Sequence, residues 1–154
     1  MHDEPGLEAR AGSITAWISS PTEKDIGKFL SCFTEDAVDE DVTTGRVLRG
    51  HTELAEEFSS WVGAVPDFVK KERSRLVSGD RASVEWAVSG TLRRAHGKLD
   101  FPQAMGRSFA YSGAAVLEFA SDGRIRLVRT YWDLTRLLSQ LGLLSPDAVG
   151  RTTA

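Results

Sequence analysis

Side chains able to do chemistry are sparse in this sequence and scattered along it. Its one cysteine, Cys32, lies in the apolar run FLSCF, where a small buried side chain is the expected role. A single cysteine also excludes an internal disulfide. The histidines, His2, His51 and His96, are far apart and no Cys/His cluster accompanies them, so no zinc site is expected. His51 follows Gly50 at a helix start and reads as structural. His96 sits in a loop from which it could reach the opening of a cavity. What remains is carboxylate chemistry. The acidic run Asp39-Glu40-Asp41 could cap a turn or face water. If Asp41 is enclosed in apolar surroundings, desolvation raises its pKa and suits it to proton transfer near neutrality. Asp67, in VPDF, follows Pro66 and fits a surface turn. Four Trp, two Tyr and seven Phe are enough to line an enclosure.

The whole chain narrows the classes of function. At 154 residues it fits one domain that buries a real core without staples. A net charge of −3 argues against the basic footprint of a nucleic-acid binder. No apolar run approaches the ~20 residues needed to span a bilayer. The N-terminal run MHDEPGLEAR is acidic and lacks an apolar signal segment, which predicts a cytoplasmic protein.

The elements that must position any site follow from periodicity. Residues 7–20 carry Leu7, Ala11, Ile14 and Ile18 at helical spacing, with Trp17 beside that stripe. Pro21 then fits the first turn of a second helix over 22–33, burying Ile26, Phe29, Leu30 and Phe33. Residues 36–42 read as a strand, Thr43-Thr44-Gly45 as a turn and 46–48 as a short return strand. A third helix is expected over 52–62 with Thr52 as its N-cap. Strands follow at 68–77 and 81–92, joined at Gly79-Asp80; Val84, Trp86 and Val88 share one face of the second. Residues 93–106 are turn-rich and read as a mobile loop. Strands at 107–119 and 124–133 meet at Ser121-Asp122-Gly123, a hairpin signal, and 134–141 closes the chain as a helix. Residues 1–6 and 145–154 read as tails around a domain of 7–144. Helices followed by a run of antiparallel strands predict an α+β fold.

Four stretches, FTEDAVDEDV (33–42), RGH (49–51), VEWAVSGT (84–91) and DGRIRLVRTYWDLTRLLSQLGLL (122–144), resemble the SnoaL-like polyketide cyclases and ketosteroid isomerase-like proteins. These are a branch of the nuclear transport factor two-like superfamily. The resemblance implies a cone: a curved, mostly antiparallel mixed sheet wrapped around N-terminal helices, one internal pocket and a short C-terminal helix. It places Asp41 as the pocket carboxylate. The Tyr and Asp that complete the oxyanion hole of the isomerases correspond here to Trp17 and Ala115. The late-strand Asp of the cyclases corresponds to Thr130, and the epoxide hydrolase Arg and second Asp to Trp86 and Val88. In polyether cyclases a second carboxylate falls near Asp67.

The resemblance also turns Trp17, Trp86, Tyr111 and Trp132 inward, as ordinary core or as a ligand cage. The hydroxyls of Tyr111 and Thr130 would then meet a bound carbonyl or epoxide oxygen. The leading expectation is a cofactor-independent cyclase or isomerase of secondary metabolism. It would act on an apolar small molecule such as a polyketide intermediate, with Asp41 as acid–base group. The alternatives are a non-catalytic small-molecule-binding or accessory protein, and epoxide opening by Asp41 with Asp67. A homodimer is expected, paired through an outer sheet face carrying Ile125, Leu127 and Tyr131; no nucleic-acid or membrane partner is.

Overall fold

The structure, a computed structural model, describes residues 4–145. Of the expected tails, residues 1–3 and 146–154 lie outside the described residues, while helix α1 already begins at Glu4. That helix, Glu4–Glu23, runs through Pro21 instead of breaking before it. Its end comes at Lys24, which adopts a left-handed φ of 57°. Lys24 N donates to Pro21 O and Asp25 N to Ser20 O, the paired bonds that close a helix C-terminus. Glycine usually fills that position, so a lysine there gives no warning in the sequence. Asp25 then caps the short helix α2, Ile26–Ser31, accepting from Lys28 N at 2.9 Å. Strand β1, Phe33–Asp41, therefore starts three residues sooner than periodicity suggests.

The rest of the chain is β2 (Arg46–Arg49), α3 (Gly50–Ala64), β3 (Val69–Ser78), β4 (Arg81–Thr91), β5 (Ser108–Phe119), β6 (Ile125–Trp132) and α4 (Leu134–Gln140). Helix α3 starts at Gly50, and no side chain caps it, so Thr52 is inside the helix and not its N-cap. Between β4 and β5 the chain forms a His96–Leu99 bridge and a 3-10 turn at Pro102–Ala104. The expected tight turns are both present, with Gly79 at φ 58° and Gly123 at φ 88°. Asp133 caps α4 by accepting from Arg136 N.

The six strands form one sheet in the order β2-β1-β6-β5-β4-β3. Every pairing is antiparallel except that of β1 with β6, which is parallel and sets Asp41 opposite Thr130. The two edge strands do not meet, so this α+β sheet is curled but open. Its concave face packs on Ile14, Trp17 and Ile18 of α1, all buried, while Leu7 at the start of the stripe is 46 % exposed. On β4 the alternation puts Val84, Trp86 and Val88 inward, as expected. Gly113 on β5 makes room for this: a Cβ there would lie 2.5 Å from the Trp86 ring and 2.7 Å from Tyr131 O. On β6, Leu127 and Tyr131 face outward, but Ile125 is fully buried and does not belong to the outer face. No helix among the described residues is long and apolar enough to cross a membrane.

Candidate active site

The concave face and helices α1–α4 enclose a cavity of about 810 Å³. Residues that line it yet remain exposed, Thr44, Gly45, Gly97, Lys98 and Phe101, mark its mouth. One edge of that mouth is thus the β1–β2 turn and the other is the loop after β4.

Asp41 stands at the end of β1 and lines the cavity, 7 % exposed. Strand alternation aims it inward, and pairing with β6 brings Trp132 across from it. The Trp132 indole Nε1 donates to both Asp41 oxygens at 3.0 Å, and Thr44 N donates to Oδ1 at 3.2 Å. The end of β6 is itself held, because Trp132 N donates to Thr43 Oγ1 and that hydroxyl donates back to Trp132 O. The carboxylate is therefore oriented from two strands at once.

The four aromatics that the resemblance turned inward, Trp17, Trp86, Tyr111 and Trp132, line the same cavity, and so does Thr130. Tyr111 stacks on Trp132 with centroids 5.0 Å apart and on Phe109 at 5.7 Å, and meets Trp86 edge-on at 6.1 Å. Burial, and then the charge of Asp41, push the Tyr111 phenol above its ordinary pKa. It stays a proton donor at any physiological pH.

Asp67 departs from expectation. It does not line the cavity but sits exposed beside β4, where it accepts from Thr91 N at 2.7 Å and from Thr91 Oγ1 at 2.8 Å. Its slight burial works to raise its pKa, but those bonds and nearby Arg93 hold the carboxyl below its usual range. An aspartate so satisfied fixes the turn after Pro66; it is not placed to pair with Asp41 across a substrate. Cys32 is buried, its Sγ donates to Phe29 O, and burial pushes the thiol up to about 12, which leaves it a packing residue. The His51 ring donates to Phe33 O at 3.2 Å.

Of three further groups at the cavity, sequence reading singled out only His96. Asp39 lies two residues before Asp41 on the same face of β1, and burial raises its pKa to about 6 against the pull of Arg46 and Lys70. Period-two alternation carries that placement, but in an all-acidic run it is easily read as surface. Lys70 on β3 pairs in register with inward-facing Val88. Its Nζ lies 3.7 Å from the centroid of the Trp17 ring and 5.1 Å from that of Trp86. Burial lowers its pKa to about 8 despite the opposing charge of Asp39. Only strand register reveals it, since KKER alone suggests a solvated edge.

The third group is a closed network at the mouth. Glu57 on α3 accepts from Arg46 Nη1 at 2.6 Å and from His96 Nε2 at 2.8 Å, and His96 Nδ1 accepts from the Ser60 hydroxyl at 2.8 Å. Burial alone would raise the Glu57 pKa, but His96 and Arg46 hold it lowered. The loop carrying His96 is thereby tied to α3 and reads as an ordered rim, not a free flap. Among the described residues no three His, Cys, Asp or Glu side chains gather so as to hold a metal ion.

This architecture has known counterparts. TsrD from Streptomyces laurentii superposes with a TM-score of 0.77 at 21% identity, covering 94% of this chain and 100% of that one. The epoxide hydrolase/cyclase-like enzyme SalBIII, of pyran ring formation in the polyether salinomycin, gives 0.69 at 23%, covering 88% and 97%. An LEH-like epoxide hydrolase from M. tuberculosis gives 0.68 at 21%, covering 88% and 85%. At these identities the likeness establishes the fold alone. No curated protein sequence matches this one significantly. The SnoaL-like domain pattern, however, matches residues 14–128, most of the chain and nearly all of the sheet. The chain belongs to the SnoaL-like domain family.

Proposed function

We propose that the protein is a cofactor-independent cyclase or isomerase of apolar small molecules, a polyketide intermediate being the type of substrate, with Asp41 moving the proton. The observation that carries this reading is Asp41 itself: a buried carboxylate held at 3.0 Å by an indole N–H inside an aromatic cavity. The chemistry fits proton abstraction next to a carbonyl. Asp41 takes the proton from carbon, while Tyr111 and Thr130 present hydroxyls to the oxygen that gains charge. A positioned acid–base group contributes ~10²–10⁴ in rate, and holding a flexible chain in its reactive conformer contributes up to about 11 kcal/mol more. A sparse catalytic set is therefore sufficient. The cyclase part of the name of SalBIII supports the cyclising side of this reading. Epoxide opening by Asp41 and Asp67 loses its support, because Asp67 stands outside the cavity.

The test is exchange of the α-hydrogens of an enolisable bicyclic ketone, 2-tetralone, in deuterated buffer, followed by mass spectrometry. The protein should accelerate exchange, and Asp41→Asn should lower that acceleration by more than ~100-fold. Exchange no faster than in buffer, with the ketone bound, would instead assign the cavity to a binding or accessory role. A homodimer is part of the same proposal, with half-buried Leu127 and exposed Tyr131 on the face that pairs. Sedimentation as a monomer would remove it.

A further inference from the structure

Lys70 is not used by the mechanism above, and its surroundings are unusual for a lysine. Its backbone is pinned: Lys70 N donates to Thr22 Oγ1 at 2.9 Å, so the last turn of α1 holds the first residues of edge strand β3. Its side chain reaches into the cavity between two indoles, Trp17 from α1 and Trp86 from β4. Among the described residues no carboxylate lies within 4.0 Å of Nζ, whereas Arg46, Arg75, Arg126 and Arg129 all have such partners. The titratable groups that act on it from neighbouring elements are Asp39 on β1 and Cys32 after α2, and the Cys32 thiol is neutral. The cavity is thus walled by aromatic rings and holds one amine in its interior, Lys98 standing at the mouth, with Asp39 as the acid nearest in effect.

We propose that Lys70 is an amine nucleophile: its Nζ, seated between Trp17 and Trp86 and sharing the cavity with Asp39, forms an imine with the carbonyl carbon of an apolar aldehyde or ketone. The lone pair of Nζ attacks that carbon, a C–N bond forms, and the carbonyl oxygen takes a proton from Asp39. Nζ returns a proton to Asp39, which passes it to the hydroxyl; water leaves as the C=N bond closes, and the remaining N–H proton of the iminium goes back to Asp39. The balance is one carbonyl and one amine in, one imine and one water out. Asp39, raised to about 6, and Lys70, lowered to about 8, can each exchange a proton near neutrality. At pH 7 such a lysine holds about 300-fold more neutral amine than an exposed one. The two indole rings keep it in place, and burial outweighs the pull of Asp39 toward the charged form. This activity goes beyond α-proton exchange, and Asp41 enters it only through the charge it places near Asp39.

The experiment is reductive trapping of the full-length protein with 2-naphthaldehyde and cyanoborohydride at pH 7, read by intact mass and peptide mapping. The expected product gains one probe mass less one oxygen atom, located at Lys70 at least ~10-fold faster than at Lys24, Lys28, Lys71 or Lys98. Its rate should level off near pH 8, where exposed lysines continue to gain reactivity to above pH 10. Lys70→Arg and the apolar Lys70→Met should both lose the fast adduct with unchanged circular dichroism. Asp39→Asn should slow it by about tenfold. Trapping spread evenly over the lysines, or absent from Lys70, overturns the proposal. Either result leaves the exchange assay on Asp41 to be judged on its own.

Discussion

The mouth of the cavity and its interior use polar groups in opposite ways. At the mouth the charges close on one another: Arg46 and His96 share Glu57, and Ser60 completes the His96 ring. In the interior, Lys70 lies on aromatic faces without an ion pair; the buried Trp86 Nε1, like Arg46 Nε at the mouth, finds no hydrogen-bond partner among the described residues. Buried polar groups are ordinarily satisfied, and departures concentrate at functional sites. The difference separates a charge network that ties elements together from an interior amine that has no ion-pair partner among the described residues. Asp41 belongs to both kinds: it is held by Trp132 and Thr44, yet it still faces the cavity.

Substitutions can break that contrast. Glu57→Gln at the mouth should have the largest effect on stability. It leaves Arg46 and His96 short of a charged acceptor that is only 28 % exposed. A loss of about 1–3 kcal/mol is expected, read as a melting temperature lower by ~3 °C or more. Trp132→Phe keeps the ring beside Tyr111 but removes the N–H from both Asp41 oxygens. It should lower 2-tetralone exchange by about tenfold while moving the melting temperature by ~2 °C or less, the signature of an orienting contact.

The Asp39→Asn variant sharpens the contrast through pH. A carboxyl whose pKa is raised in the folded state stabilises the fold below its unfolded pKa, and that contribution is lost as pH rises through about 6. The variant should therefore gain on the parent by a few degrees in melting temperature between pH 4 and 7. A difference that is flat with pH would place Asp39 in water. Ser60→Ala should do least, within ~0.5 kcal/mol in denaturant melts, because it removes one exposed hydrogen bond from a network that Glu57 anchors.

Much of the frame was legible in the sequence for a simple reason. Alternation on β4 and the Gly79 and Gly123 turns are local signals that the sheet obeys. The end of α1 was hidden because Lys24 adopts a glycine-like conformation, and the helix crosses Pro21 only three residues before stopping. In the site, the aromatic positions that the family resemblance turned inward reach the cavity, whereas its counterparts Ala115 and Asp67 do not line it. Lys70 shows the reverse case. Its neighbours in sequence are charged, and only its pairing with Val88 turns it inward. Asp67 shows a limit of position alone: it sits close in sequence to cavity-lining Phe68, yet Thr91 captures it on the outside.

One feature of the sheet reaches into how the molecule is made. Asp41 lies on the first strand, but its partners Thr130 and Trp132 lie on the last, joined to it by the single parallel pairing. Such long-range pairing closes late and slowly. A nascent chain therefore carries its carboxylate unoriented, beside an unfilled sheet position, through most of its synthesis. The site comes into being only when the final strand slides between β1 and β5, so no shortened product ending before β6 can possess it.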